Sequence, residues 1–305
     1  MKSNDFPNSW ADKSLENLLN LEFLNWNLLT RETAIKLGIS NHEAVKTDLS
    51  QVTVPEIISS ELSIASGKFE LRDVAATLQA FQTYRLSLYD VLNDRHMTKL
   101  KRPTFLALYG KKECLRVLKI YSSAVKSLAK ELEKLGIENA QNFSEAQYIE
   151  TLNADSIRNG GGRKMPSVDK TIEIVESLAG NPAKYIAKLT AADSDLEELA
   201  TSLVNSMATL EDLIDFISLE DFGKIKATLP LSLLNEEMGL IDKRITLKEI
   251  MKKTSVVSRT KEYILYQLNR SREILSQYPR KCKLIKGFVY QMSEFTKIFP
   301  EYYIK

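Results

Sequence analysis

Apolar residues recur along much of the chain at steps of three and four, a spacing that gathers them on one face of an α-helix. Two runs keep this spacing over several turns, at 71–92 and 114–135, and about twenty residues containing Pro103 join them. Each helix would carry an apolar seam of the coiled-coil type, which must be buried against a neighbour. We therefore expect the two helices to fold back on each other as an antiparallel hairpin.

The second half of the chain shows the same periodicity in several pieces. A run at 172–178 should end at residues 180–182 (Gly-Asn-Pro), since glycine and proline end helices. A longer run spans 196–217 at heptad spacing, with Ser206 at the one polar position. Its apolar members are Leu196, Leu199, Leu203, Leu210, Leu213 and Ile217.

The last third of the chain contains recognisable helix boundaries. Pro230 and Gly239 predict a turn-rich region. Thr246 followed by Glu249 has the pattern of a capping box, in which each side chain bonds the backbone of the other residue. Two helices should complete the chain, with expected limits of Tyr278 for the first and Lys281 to Phe299 for the second.

Glycine and proline are scarce, at 11 and 8 of 305 residues, and strand signals are nearly absent. This pattern predicts an all-α protein built of antiparallel helical hairpins or a bundle. A Gly-rich stretch at 159–166 interrupts the pattern and is interpreted as a linker. We therefore predict two helical lobes: residues 1–158, which contain the long hairpin, and residues 167–305, acidic in their first part and basic in their last.

Composition limits the kinds of site that the chain can carry. Its two cysteines, Cys114 and Cys282, are far apart in sequence, which excludes a disulfide framework. The two histidines, His42 and His96, lie in no zinc pattern and no nucleophile context, so we expect no metal site, no cofactor and no catalytic residue. An enzyme stays open as a third hypothesis behind two kinds of binding protein, because the absence of a motif does not exclude one. The first residues lack the apolar core of a signal peptide, and no apolar run reaches the ~18 residues of a membrane span. We therefore expect a cytoplasmic protein with no membrane partner.

Charge is distributed unevenly, although the formal charge of the whole chain is +2. Residues 193–221 contain nine Asp or Glu and no Lys or Arg. Residues 241–305 contain 15 Lys or Arg against 6 Asp or Glu, and residues 95–116, the tip of the predicted hairpin, contain 7 against 1. Aromatic residues are interleaved with the bases in both basic regions.

Bases interleaved with aromatic residues can neutralise phosphates and stack nucleobases. The leading hypothesis is therefore a non-enzymatic, nucleic-acid-associated protein that contacts the phosphates of DNA or RNA through its basic C-terminal region and its basic hairpin tip. The residues expected to make these contacts are Arg95, Lys99, Lys101, Arg102, Lys111, Lys112, Arg259, Lys261, Arg270, Arg272, Arg280, Lys281 and Lys283.

Two alternatives remain open for the same charge pattern. In the first, the chain is a protein-interaction or self-assembling structural or adaptor protein. Its helix seams and its complementary acidic and basic stretches would then bind another protein or a second copy. In the second, the basic regions are an ordinary solvated surface.

Two short segments resemble motifs of the all-helical polyprenyl synthases. Residues 161–166 (Gly-Gly-Arg-Lys-Met-Pro) resemble the basic glycine motif, and residues 211–215 (Glu-Asp-Leu-Ile-Asp) resemble the first aspartate-rich motif. The resemblance implies carboxylates one helical turn apart that hold magnesium on a diphosphate, and Asp212 and Asp215 share a helix face. It covers about ten positions, without a second aspartate-rich motif or an arginine pair after the first. We therefore interpret the two segments as a linker and an acidic helix surface.

Overall fold

The computed structural model describes residues 88, 90–92, 94–96, 104–134, 165–189, 194–219, 226–239, 246–279 and 282–299. Within these ranges every regular element is a helix, so the predicted all-α fold is confirmed. None of the described helices combines the length and the apolar character that a membrane crossing requires. The helices are α1 (Phe105–Lys134), α2 (Val168–Val175), a π-helical turn (Glu176–Gly180), α3 (Asn181–Leu189), α4 (Ser194–Ile217), α5 (Leu229–Met238), α6 (Leu247–Lys253), α7 (Val256–Ser276) and α8 (Lys283–Ile298).

The chain divides into two compact units. The first consists of Met1–Ile57 and Glu70–Leu128, and the second of Ile58–Phe69 and Ala129–Lys305. The lobes predicted from the sequence, 1–158 and 167–305, stay a prediction. Residues 159–164 of the predicted linker lie outside the described residues.

Helix α1 begins earlier than the apolar run at 114–135 predicts. It starts at Phe105, and the non-helical backbone of Gly110 (φ 77°, ψ 166°) kinks it near its start. Cys114 and Leu118, the first two apolar positions of the run, are buried. Residues 71–87, most of the other arm of the predicted hairpin, lie outside the described residues, so the hairpin stays a prediction.

Helix α4 is the central element of the second unit and packs most extensively against α7. Five of the six apolar heptad positions predicted for it are buried, with Leu199, Leu203 and Leu213 fully so, whereas Ile217 is partly buried; Ser206 is buried with them. Ser206 satisfies its hydroxyl by donating to the Leu203 carbonyl (2.7 Å). Each buried leucine contributes about 1.5–3 kcal/mol of apolar burial, and these contributions hold α4 in the core.

The region around Pro230 is helical, and the prediction of turns there is wrong. Pro230 lies in the first turn of α5, where its missing N–H would have had no partner inside the helix. Gly239 ends the helix with φ 75°, a conformation that favours glycine. α5 forms an apolar cluster with the C-terminal end of α4, with α6 and with the start of α7; its buried members are Phe216, Leu229, Leu231, Leu233, Leu234, Ile250 and Val256.

The helix predicted to stop at residues 180–182 does not stop. A π-helical turn follows α2, and the Asn181 N–H donates to the carbonyl of Glu176, five residues earlier. Pro182 then lies in the first turn of α3, where a proline is tolerated. Glycine and proline therefore mark a change of helix type here instead of an end.

The capping box at the start of α6 is confirmed. The Thr246 N–H donates to Glu249 Oε2 (3.0 Å), and the Glu249 N–H donates to Thr246 Oγ1 (3.3 Å). The ends of α7 and α8 fall within two residues of the limits predicted for the final two helices.

Glu237 of α5 binds the residues at the start of α7. Its carboxylate accepts hydrogen bonds from the Ser255 N–H (2.8 Å), the Ser255 hydroxyl (2.6 Å) and Arg259 Nη1 (3.3 Å). Partial burial raises the pKa of the Glu237 carboxyl, but the hydrogen bonds from Ser255 and Arg259 outweigh it. The net result is a pKa below the ordinary value of 4.5.

The first testable prediction concerns Glu237→Gln, which should lower the free energy of unfolding at neutral pH by about 1–2 kcal/mol. Because folding lowers this pKa, the contribution is present in full above the unfolded-state pKa and is lost as the pH falls through the folded-state pKa. The difference between variant and wild type should therefore vanish in acid. Urea unfolding at a series of pH values measures it.

Glu236→Gln is the matched control, because Glu236 contacts Arg259 (2.9 Å) from a more exposed position. It should change the free energy of unfolding by less than about 0.5 kcal/mol. A loss for Glu237→Gln that stays constant from neutral to acidic pH would contradict the role of its charge.

Candidate functional site

Two buried carboxylates lie one turn apart near the C-terminal end of α4. Asp212 is 2% exposed and Asp215 is 6% exposed, whereas Glu211 beside them is exposed. The interpretation of 211–215 as an acidic helix surface is therefore wrong for the two aspartates. Burying a carboxylate costs several kcal/mol unless a cation or hydrogen bonds compensate. A buried acidic pair of this kind marks a candidate functional site.

Lys226 supplies a positive charge next to this pair. Its Nζ lies 3.8 Å from Asp215 Oδ2, and the side chains of Lys226 and Asp215 are both largely buried. At this distance the ammonium partly offsets the negative charge of the acidic pair. Asp212, Asp215 and Lys226, which we call the acidic site, together carry a formal charge of −1.

The chain segments beside Lys226 are fixed by a buried hydrogen bond between α2 and α5. The hydroxyls of Thr171 and Ser232 lie 2.6 Å apart, and both residues are buried. Thr228, between Lys226 and α5, accepts the Ser232 N–H on its carbonyl (2.9 Å). These contacts hold the start of α5 in place, and with it the segment that carries Lys226.

The first unit contains an acidic turn at residues 90–96. The Arg95 N–H donates to the Asp90 carbonyl (2.8 Å), and the Asp94 N–H lies 3.5 Å from the Val91 carbonyl. This is the hydrogen-bond pattern of a Schellman helix end, with Asp94 at the left-handed position (φ 48°) that glycine usually occupies. A non-glycine residue there is strained, and such strain is found most often at functional positions.

Thr104 fixes this turn from the other side. Its N–H donates to the His96 carbonyl (3.0 Å) and its hydroxyl donates to the Arg95 carbonyl (2.6 Å). The Asp94 and His96 side chains remain 87% and 59% exposed, with Asp94 Oδ1 and His96 Nε2 3.5 Å apart. The turn thus presents a carboxylate and an imidazole to solvent on a fixed backbone.

The negative charge of Asp90 acts on the pKa of a buried cysteine of the same unit, Cys114. Burial, together with the negative charges of Asp90 and Glu113, raises the pKa of the Cys114 thiol to about 11. A thiol with a raised pKa is a poor nucleophile, because the thiolate is the reactive form. Cys114 is therefore a buried structural residue of α1 and not a reactive thiol.

The structure places the predicted basic contact residues in different settings. Arg270 donates to Glu198 through Nε (2.5 Å) and Nη2 (3.0 Å), which joins α7 to α4. Arg259 pairs with Glu236 and Glu237. Of the others, Arg95 lies in the acidic turn, Lys261 donates to the Lys297 carbonyl, Arg272 contacts Asn269, and Lys111, Lys112 and Lys283 are exposed. Lys99, Lys101, Arg102, Arg280 and Lys281 lie outside the described residues.

Sequence reasoning missed Lys226 and the acidic turn, and it misjudged the burial of Asp212 and Asp215. One signal for the aspartates was present. A solvated acidic helix usually carries bases three or four residues from its acids, yet 193–221 contains none. Acids without nearby bases on an apolar helix indicate carboxylates that face the protein or a ligand.

No protein-family model matches the sequence, and no curated protein sequence matches it either. Solved structures do match. A geranylgeranyl pyrophosphate synthetase from Pyrococcus horikoshii has a TM-score of 0.70 at 13% identity, with 95% of this chain and 98% of that chain covered. A decaprenyl diphosphate synthase from Rhodobacter capsulatus has a TM-score of 0.69 at 15% identity, with 93% and 97% covered.

A third similar structure is a polyprenyl synthase from Caulobacter crescentus complexed with calcium and isoprenyl diphosphate. Its TM-score is 0.66 at 13% identity, and 93% of this chain and 95% of that chain are covered. At these identities the comparisons show a shared fold. This chain therefore has the all-α fold of the isoprenyl diphosphate synthases.

The predicted nucleic-acid binding is wrong, and so is the alternative of an interaction or self-assembling adaptor protein, because the structures that share this fold are polyprenyl and isoprenyl diphosphate synthases. The physical reason is that a net basic charge does not identify a partner. Arg259 and Arg270 are bound by carboxylates of the second unit, so part of the counted charge is compensated within the fold.

Proposed function

We propose that this chain is a prenyl transferase that binds an isoprenyl diphosphate at its acidic site. The observation that carries the proposal is the buried pair Asp212 and Asp215 on α4, in a chain whose fold matches prenyl synthases over nearly its whole length. The segment that carries this pair also resembles the aspartate-rich motif of those enzymes.

The acidic site fits a divalent cation that shares its ligands with a diphosphate. Magnesium in phosphate-handling sites is held by one or two carboxylates together with substrate phosphates. The described part of the chain contains no cluster of three or more His, Cys, Asp or Glu side chains that could hold a metal ion, so the proposal needs the phosphate oxygens as ligands. Asp212 and Asp215 would hold the cation, which when bound would neutralise the charge on a departing diphosphate.

Lys226 has one role in this proposal. Its positive charge next to Asp215 limits the negative potential that an incoming diphosphate meets. In the first unit, the acidic turn is the second candidate for phosphate chemistry, since Asp94 is exposed on a fixed backbone. Arg95, among the residues predicted to contact phosphates, is proposed to do so here.

We also propose the cytoplasmic location predicted from the sequence.

The second prediction tests this function with the purified full chain. Farnesyl diphosphate should bind in the presence of magnesium, measured by isothermal titration calorimetry. Adding isopentenyl diphosphate as the acceptor should release inorganic diphosphate, since prenyl transfer breaks the bond between the prenyl carbon and the diphosphate oxygen. Farnesol, which lacks the diphosphate, is the control ligand and should bind at least about 100-fold more weakly, because it makes no charge-assisted contacts.

Binding without release of diphosphate would contradict the transferase part of the proposal. An absence of binding with either magnesium or calcium would contradict the whole proposal, because the fold and the acidic site would then serve another ligand.

A further inference from the structure

Two buried polar side chains of α4 lie four residues apart in the second unit, and the first of them packs against the π-helical turn. Asn205 and Thr209 of α4 are 1% and 0% exposed. Asn205 Oδ1 and Thr209 Oγ1 make no hydrogen bond with any described part of the protein. Buried polar atoms are almost always paired with protein or with ordered water, so these two atoms require a partner.

The Thr209 hydroxyl lacks the bond to its own helix that two other buried hydroxyls of this unit make. Thr260 donates to the Val256 carbonyl (2.7 Å), and Ser293 donates to the Val289 carbonyl (2.7 Å), each one turn earlier on its own helix. The same bond is sterically open to a threonine at any interior helix position. Thr209 does not make it, so its hydroxyl is left for another partner.

Asn205 is fixed by the close approach of the π-helical turn. A Cβ atom at Gly180 would lie 2.7 Å from Asn205 Oδ1 and 3.0 Å from its Nδ2. The amide therefore packs directly against the Gly180 backbone, in the space that a side chain at position 180 would need. π-Helical turns are concentrated at functional positions of helices, where they shift the backbone locally.

The i, i+4 spacing of the two residues on α4 suits one small bridging molecule. Residues four apart on a helix have Cβ atoms about 5–6 Å apart, and a molecule about 2.8 Å from each polar atom spans that gap. Asn205 Oδ1 can accept but not donate, so the bridging molecule must donate a hydrogen bond to it. Thr209 can donate or accept. Water satisfies both conditions, carries no charge that would need compensation, and is the usual occupant of small polar interior sites.

We propose that the second unit contains an internal water-binding site, in which a buried water molecule donates to Asn205 Oδ1 and is hydrogen-bonded to the Thr209 hydroxyl. Thr209 lies three residues before Asp212 on α4, and Asn205 packs against Gly180 of the π-helical turn. The site links that turn to the helix carrying the acidic site. This inference goes beyond the proposed function and stands independently of it.

A crystal structure at about 1.5 Å resolution tests the site directly in the unmodified protein. The expected result is a density peak within hydrogen-bonding distance of both Asn205 Oδ1 and Thr209 Oγ1. Well-ordered side chains with no peak between them, or a Thr209 hydroxyl bonded to its own helix, would overturn the proposal.

The third prediction uses the isosteric variant Thr209→Val, with Thr260→Val as its matched control. If water occupies the site, Thr209→Val removes one of its partners and lowers the melting temperature by about 3–8 °C. Thr260→Val deletes a bond within a single helix and should have a smaller effect. If the site is dry, Thr209→Val removes an unpaired buried hydroxyl and the melting temperature rises. A rise, or a change equal to that of Thr260→Val, would overturn the proposal.

Discussion

The double substitution Asp212→Asn and Asp215→Asn should lower the rate of diphosphate release by at least about 100-fold, because it removes both charges that would hold a cation against the departing group. Asparagine keeps the volume and part of the hydrogen bonding of aspartate, so the helix should keep its packing. The initial rate of diphosphate release with farnesyl and isopentenyl diphosphate measures the effect. Calorimetry should show a parallel loss of farnesyl diphosphate binding.

Glu211→Gln is the control for this prediction, since Glu211 belongs to the same acidic segment of α4 but is exposed. It should leave the rate within about twofold of wild type, because a single exposed charge contributes little. The rate of diphosphate release should also be measured for Lys226→Met, a substitution that removes the positive charge while keeping an unbranched side chain. A folded double variant that retains the wild-type rate would show that the acidic pair has a structural role.

The long apolar periodicity of α4 could be predicted from sequence for a physical reason. Leu199, Leu203 and Leu213 recur at the helical repeat, and the helix that forms is long enough for the repeat to outweigh local exceptions such as Ser206. The capping box of Thr246 and Glu249 could be predicted because both partners are three residues apart and need no tertiary contact.

The helix breaks could not be predicted in the same way. Pro182 and Pro230 both lie in the first turn of a helix, where proline is tolerated, and the sequence around each does not distinguish a start from a stop. The π-helical turn depends on packing as well. Gly180 is needed because Asn205, 25 residues later in the chain, packs against it, and no local pattern encodes that contact.

The geometry of the candidate site depends even more on contacts between residues that are distant in the sequence, so it could not be predicted from local patterns. Asp212 and Asp215 were visible as a pair with helical spacing, but their burial depends on α4 lying inside the second unit. The role of Lys226 depends on a contact with Asp215, eleven residues away across the α4–α5 connection. Charge counts averaged over long stretches gave the wrong partner, since they treated buried, paired and exposed charges alike.

The fifth prediction concerns the apolar residue next to the acidic pair. Phe216→Ala should lower the free energy of unfolding by about 3–5 kcal/mol, because a large aromatic side chain is removed from a packed interior that cannot fully close over the cavity. Phe216 is fully buried and packs in a cluster that includes Leu231, Leu234 and Ile250. Thermal unfolding should show a melting temperature about 8–15 °C lower.

Tyr290→Ala is the matched control, since it truncates an aromatic residue on α8 that is 61% exposed, and it should cost less than about 1 kcal/mol. Phe216 follows Asp215 directly, and its packing fixes the segment of α4 that carries both aspartates. Phe216→Ala should therefore also weaken farnesyl diphosphate binding at temperatures where the variant is folded. A destabilised variant with unchanged binding would show that the acidic site is held by its own polar contacts, whereas a loss of both would show that the apolar cluster sets its geometry.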